Sequence, residues 1–582
     1  MLIRKYAGYA AVLLIAVTGC KKSSDFLDAK VPSDLNEETV FADSARTMNF
    51  LNRMYTQVQH SSLPVNYLGV PTDVCTDNGE VSYTGSGQAG VMYNNGSFTP
   101  ANCPFNGMWN DCYANIRRAN RYLSKLPVVP LSKGLKDRTE GEAKFLRTWY
   151  YFLLWRTYGG VPIVPLLQLT DELNLPRNSY QDVVDYMLKS LDDAAVLLPF
   201  DHESQDYGRA TKGACLALKS RILLYAASPL YNGEGISTLS GFEAAKAFVQ
   251  SPKDANRWVL ARDAAQAVIN LNKYSLYTDN SQPGYGYYKT FLTRVNNEMI
   301  FCFMNAPGRS LEFLFLPKSR APQSNVSFVF PTQTMVDAFP MANGLPITDP
   351  ASGYDEKDPY AGREPRFRYS ILTNGTVWRN NSGTYSAIST YFMAPNDGMG
   401  SDPNGYATRF GAYVRKMLDE NVTGNQGSTE HNYPLIRYAE ILLNLAEAEN
   451  EIAAAPTEAV FQPIRDIRRR AGIAAGADGN YGIPVTADKA QMRAFILNER
   501  RIELCFEGHR FWDNRRTKTA DQFEGSPGGM PFYATKITGS AGNWLYEKIE
   551  AEKRFFRPEM YYVPLPQGQI NVETNLVQNP GW

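Results

Sequence analysis

Histidine is scarce, four in 582 residues, and charge is balanced, 59 Lys and Arg against 59 Asp and Glu. A chain with no basic excess has no general means of neutralising phosphates, which argues against a general nucleic-acid binder. No run reaches the ~20 apolar residues needed to cross a bilayer, which excludes a polytopic helical membrane protein. No Cys-x-x-Cys pair occurs, and the nearest pair, Cys103 and Cys112, lacks the His or second cysteine pair of a zinc site. His-Glu-x-x-His, Gly-x-Ser-x-Gly, phosphate-loop and EF-hand spacings are also missing. No catalytic residue, metal ligand or cofactor is therefore assigned. What the chain does have is 44% hydrophobic and 12% aromatic residues, enough for a large core and too many for a wholly disordered chain.

The first nineteen residues have the layout of a secretory signal peptide, with Arg4 and Lys5 before an apolar run from Ala7 to Val17. Val17-Thr18-Gly19-Cys20 resembles the bacterial lipobox, which implies that Cys20 is acylated and becomes the mature N-terminus. Lys21 and Lys22 stand where an Asp would favour inner-membrane retention, so the resemblance implies the outer membrane, with the protein exposed at the cell surface. Residues 20–42 are read as lipid anchor and tether. In an exported chain Cys103 and Cys112 are candidates for a disulfide, whereas Cys215, Cys302 and Cys505 sit in apolar contexts and read as buried thiols.

Helical periodicity predicts helices over Asp43–Gln59, Trp109–Leu126, Leu135–Tyr158, Tyr180–Leu198, Lys212–Ala227 and Ala255–Asn270. In the third, Phe145, Leu146, Trp149, Phe152 and Leu153 make one apolar face, opposite Lys144, Arg147 and Tyr151. Helices return over Leu435–Ala453, Glu458–Arg470 and Lys489–Phe506, with a short one to Arg516. Similar lengths separated by Pro or Gly turns predict a mainly α fold of degenerate tetratricopeptide-like repeats, an α-α superhelix. Two regions interrupt it: residues 61–106, dense in Gly, Asn, Ser and Tyr, and residues 271–434, loop-rich with short β-strands such as Met299–Met304 and Ser327–Phe330. The division is thus 43–270, an N-terminal helical region; 271–434, a loop-rich middle; and 435–582, a C-terminal helical region and tail.

Several segments, in order, resemble the SusD/RagB family of outer-membrane nutrient-binding lipoproteins. They are Gly141 to Arg147 running to Tyr158-Gly159-Gly160-Val161-Pro162; Pro331-Thr332-Gln333 with Val336 to Phe339; and Arg363-Glu364-Pro365-Arg366-Phe367. Arg437 to Leu443, Ile467 to Gly472, Glu499 to Leu504, Phe506-Glu507-Gly508-His509-Arg510 and Asn579-Pro580-Gly581-Trp582 follow. The resemblance implies a non-catalytic lipoprotein that captures oligosaccharide or polysaccharide and delivers it to a SusC-like TonB-dependent transporter. Peptide uptake and, more remotely, a lipid-anchored glycoside hydrolase are the alternatives.

For a hydrolase, Glu499 and Glu503 would have to face each other across a sugar. One helical turn apart and interleaved with Arg500 and Arg501, they read instead as ion-pairing scaffold, and Arg468-Arg469-Arg470 reads as a solvated or ion-paired face. An uncharged glycan is recognised by flat aromatic faces and a few directional polar groups. The candidate ligand residues are Asp73, Asn78, Tyr83 and Tyr93 in the first loop, accompanied by Asp77 and Asn94. Tyr285 and Tyr287 in a second loop, and Arg309 and Phe315 in a stretch ending at Phe328, complete the set.

Overall fold

The computed structural model describes residues 37–58, 71–81, 89–166, 174–320, 329–401, 407–423 and 426–582. The expected anchor at Cys20 and the candidate Tyr83 lie outside the described residues.

Among the described residues nine helices have twelve residues or more: α1 Ser44–Tyr55, α2 Asn106–Lys125, α3 Lys133–Tyr158, α4 Tyr180–Leu197, α5 Lys212–Ala227, α6 Asn256–Ile269, α7 Tyr438–Ile452, α8 Glu458–Ala471 and α9 Lys489–Glu503. Their starts are set by local chemistry. The side chains of Asp43, Ser132, Ser179, Thr211 and Asp488 accept backbone N–H bonds from the first turns of α1, α3, α4, α5 and α9, supplying partners to otherwise orphaned donors. Gly159 ends α3 at φ +83°, and a Cβ there would lie 2.2 Å from the Phe248 carbonyl oxygen, so the turn requires glycine.

The helices form one array, each of α2 to α6 packing on the next and α6 packing directly on α7. The loop-rich middle is therefore inserted between two neighbouring helices, and the array runs on through α8 and α9. The second half of α3, Tyr150 to Tyr158, is buried all round. Tyr151, expected on a polar face, is buried because α3 is covered on several sides, and its hydroxyl accepts the Val164 N–H.

The strands are short: β1 Gly79–Val81, β2 Met299–Met304, β3 Val329–Pro331, β4 Ile371–Leu372, β5 Val377–Arg379, β6 Tyr385–Ala387, β7 Tyr413–Val414 and β8 Asn432–Arg437. They pair antiparallel as β1 with β3, β2 with β8, β4 with β7 and β5 with β6. Residues 435–437, expected to open a helix, finish β8 instead, which runs straight into α7. The C-terminal region, read as helical, also carries an antiparallel hairpin, β9 Met530–Ser540 and β10 Asn543–Arg554. Cys103 and Cys112 are separate buried thiols, as are Cys75, Cys215, Cys302 and Cys505. No described helix is long and apolar enough to cross a membrane.

Candidate functional site

Most of the aromatic and polar candidates read from the sequence are interior residues. Asp73 and Asn78 have no exposed surface, and Tyr93, Tyr287 and Phe315 are 1–2% exposed. The expectation that these five stand on presenting loops is corrected: a side chain so enclosed offers no face to a ligand. Asp73 accepts the backbone N–H groups of Phe506 and Gly508, at 3.0 Å each, and the Asn78 amide at 2.9 Å. It thereby closes the turn after α9, where Phe506 (φ +57°) and Gly508 (φ +77°) leave the helical path. Burial outweighs these bonds and raises its carboxyl above the usual range. Tyr93 packs among Phe98, Phe105 and Phe511, and the Tyr287 hydroxyl bonds Ser370 Oγ at 2.9 Å. Tyr285 and Arg309 are half-buried. Tyr285 packs near Tyr288 and Tyr369, and Arg309 covers the Phe313 ring.

Glu499 and Glu503 sit in a buried cluster of opposite charges. Arg366 reaches Glu499 (2.7 Å), Glu503 (2.9 Å) and Glu364 (2.9 Å), while Arg468 takes the second oxygen of Glu499 at 2.8 Å. Arg437 bonds Glu298, Glu503 and Glu507 at 2.7–2.8 Å; Arg470 bonds Glu298 and Glu503; Lys416 bonds Glu507 at 2.6 Å. These arginines hold the Glu499 and Glu503 carboxyls below the usual range despite burial. Both carboxylates are committed to cations, in the scaffold role expected of them. Arg468 and Arg470 of the triplet turn inward to this cluster, and Arg469 faces out and pairs with Asp466 at 3.0 Å.

The surface with the character a sugar needs lies elsewhere, on the loop-rich insertion and the hairpin. Tyr391 and Trp544, both half-buried, stack with centroids 5.2 Å apart and planes 24° apart. Phe392 and Met393 beside them are 41% and 58% exposed. The Lys536 ammonium lies 4.6 Å from the centre of the Phe392 ring. Exposed Asn396 in the same loop and Asn543 next to Trp544 add hydrogen-bonding groups.

This aromatic ledge is pinned. Phe392 donates its N–H to the Ile537 carbonyl on β9 at 2.7 Å, Met393 to Met399 at 2.8 Å and Gly398 to Ala394 at 3.1 Å. Met393 and Asn396 take positive φ, and a Cβ on Gly398 would meet the Tyr391 carbonyl oxygen at 2.2 Å. Asp397, 2% exposed, accepts the Ser319 N–H at 2.9 Å, and its own carbonyl accepts the Tyr413 hydroxyl. A loop held at both ends presents its rings without an ordering cost on binding. Neither Tyr391 nor Trp544 was among the sequence candidates. Among the described residues no group of His, Cys, Asp and Glu is arranged to hold a metal.

A family model described as the SusD family matches residues 276–582, and a second, described as starch-binding associating with outer membrane, matches residues 25–224. SusD-like protein P38 of Formosa agariphila is 26% identical over 465 residues, covering 75% of this chain and 77% of that protein. SusD-like protein P2 of the same organism is 23% identical over 587 residues, spanning both chains in full. Among solved structures, a SusD-like protein of Bacteroides fragilis superposes with a TM-score of 0.75 at 24% identity, over 94% of this chain and 99% of that one. A laminarin-binding SusD-like protein does so with a TM-score of 0.62 at 20% identity, over 93% and 100%. These two share the fold, and the matched family model spans more than half of the sequence: the chain belongs to the SusD family.

Proposed function

We propose that the protein is a non-catalytic glycan-binding lipoprotein of the outer membrane, anchored through Cys20, which captures oligosaccharide or polysaccharide and passes it to a SusC-like TonB-dependent transporter. The observation that carries the glycan reading is the pinned Tyr391–Trp544 ledge with Phe392 exposed beside it, outside the helical array. Flat rings cover the C–H faces of a sugar, and the neighbouring amides and ammonium bond its hydroxyls. The family supports the reading, since one of the two matching families is described as starch-binding associating with outer membrane, and a relative by fold is described as laminarin-binding. One ledge of this size gives modest affinity, so a polymer that offers repeated units is the fitting ligand.

The test is retention of the mature chain on an array of plant, microbial and host polysaccharides, with product analysis on the same samples. Retention with intact polymer is the expected result. Cleavage that co-purifies with the protein overturns the non-catalytic reading, and retention of peptides with silence on every glycan overturns the ligand class.

A further inference from the structure

One end of the helical array carries exposed apolar side chains. α2 and α3 join through Leu126-Pro127-Val128-Val129-Pro130-Leu131, in which Val128 is 75% exposed and Pro127 and Pro130 are also exposed. Because α3 and α4 run antiparallel, with Gly141 against Leu198, the end of α4 lies at the same end of the array. There Val196 is 85% and Phe200 48% exposed.

The α2–α3 side of this end is basic in an otherwise neutral protein. From Arg121 to Arg147, the turn and its flanks, the chain has seven Arg and Lys and three Asp and Glu, and Glu37 adds a fourth acid. Lys133 stands out with 88% of its side chain exposed, and Lys136 folds back to donate to the Pro127 carbonyl at 2.8 Å. Next to the turn lies a groove of about 740 Å³, lined by Leu123, Leu126 and Leu131 and by Lys136, Lys144 and Arg147. Asp137 and Glu140 pair with Lys133 and Lys144 and leave the surplus positive. Around Val196 and Phe200 the acids Asp193, Asp192 and Asp201 pair with Lys189, Lys219 and Lys273, so that half is neutral.

The point of chain entry says what covers this end. Glu37, the first described residue, lies 3.8 Å from Arg121 and 3.6 Å from Lys125, in the last turns of α2. Sixteen residues separate it from Cys20, a reach of at most about 60 Å, and the first two are Lys21 and Lys22. An anchor at Cys20 therefore tethers this end of the array within reach of the membrane. A polybasic patch with an inserted apolar tip adds a surface contact to the hold that acyl chains at Cys20 give.

We infer that the α2–α3 turn and its lysine-lined groove form a second membrane contact, seating the body of the protein on an anionic lipid surface with Val128 as the inserted tip. The inference rests on the anchored reading only for the direction of the membrane.

The test is co-sedimentation of the full mature chain carrying Cys20→Ser, which has no lipid, with vesicles. Retention is expected on phosphatidylcholine vesicles containing phosphatidylglycerol, falling as salt rises, and not on phosphatidylcholine alone. The pair Lys133→Glu and Lys136→Glu cuts retention by about tenfold or more. Val128→Ser, at an exposed position, weakens it with an unchanged thermal midpoint. No retention of the parent at low salt overturns the inference, as does equal retention of the charge-reversed variant at an unchanged midpoint. Loss of transporter capture with vesicle binding intact also overturns it, assigning this end to the protein partner. Since the Cys20→Ser chain carries no acyl group and no sugar is present in the assay, its failure leaves the anchor and glycan readings standing.

Discussion

Asp77 and Arg510, 433 residues apart in sequence, form a buried two-pronged ion pair, Nε to Oδ1 and Nη2 to Oδ2 at 2.8 Å each. Arg501 reaches the same carboxylate at 3.0 Å. With Asp73 on the turn after α9, this fastens the first loop region to the C-terminal motif. Removing one partner strands a charge in the interior, so Asp77→Ala is expected to destabilise the protein by about 3–5 kcal/mol. Replacing Asp77 and Arg510 together by leucine is expected to cost less than twice the single change. Urea unfolding of the single and paired variants measures both.

The same carboxylate makes the fold acid-sensitive. The guanidinium groups of Arg501 and Arg510 hold Asp77 down at about 2, and Glu499, Glu503, Glu507 and Asp513 are likewise depressed by their buried cations. A carboxyl whose folded pKa lies below its unfolded value, about 4, stabilises above that value and loses the contribution as pH falls through the folded pKa. Asp77 alone accounts for about 2 kcal/mol lost between about pH 4 and pH 2. Glu524, pushed up to about 7 by burial, has the opposite sign: its contribution is lost as pH rises through 7. The urea midpoint is expected to drop from pH 5 to pH 3, with a shallower drop in Asp77→Asn.

Trp544→Ala and Tyr391→Ala are each expected to weaken polysaccharide binding about three- to tenfold, the worth of one aromatic contact, without moving the thermal midpoint. Gly398→Ala leaves both rings in place but forces a Cβ against the Tyr391 carbonyl oxygen, so it is expected to weaken binding by disordering the loop. Tyr287→Ala is expected to behave oppositely, lowering stability by about 3–5 kcal/mol because that ring is buried beside Phe291 and Cys505. Affinity electrophoresis paired with thermal melts separates the cases. Unchanged affinity in both Trp544→Ala and Tyr391→Ala places the glycan elsewhere.

The helical array was legible from local signals, with side-chain caps opening five of the nine long helices: Lys212–Ala227 is found at its expected bounds, and Tyr180–Leu197 ends one residue early. Strand Met299–Met304 was legible too, as an apolar run bounded by polar residues. What the sequence concealed is long-range. Asp73, Asp77 and Tyr93 look like presenting groups in a Gly- and Asn-rich stretch. Their partners Phe506, Gly508, Arg510 and Phe511 lie more than 400 residues away. The β9–β10 hairpin escaped because its exposed strand, with Glu547, Lys548 and Glu550, has few apolar residues to mark it. A local signal was nevertheless present: the Gly539–Gly542 turn followed by Trp544 and Tyr546 at alternate positions. The ledge needs both that hairpin and the 391–400 loop, so neither segment alone announces it.

The six described thiols provide the last prediction. In an exported chain Cys103 and Cys112 are candidates to pair, yet these two are free and buried, as are Cys75, Cys215, Cys302 and Cys505. Burial pushes the thiols of Cys103 and Cys302 up to about 12, and the other four are raised as well. The thiolate is the nucleophile, so at pH 8 both its population and the access of a reagent are suppressed. The folded Cys20→Ser chain is expected to resist an aromatic disulfide reagent, and in denaturant all six thiols are expected to react without prior reduction. Fewer than six in the unreduced, denatured protein would reveal a disulfide that the structure does not contain; rapid reaction of any one under native conditions would show that its cover opens without global unfolding.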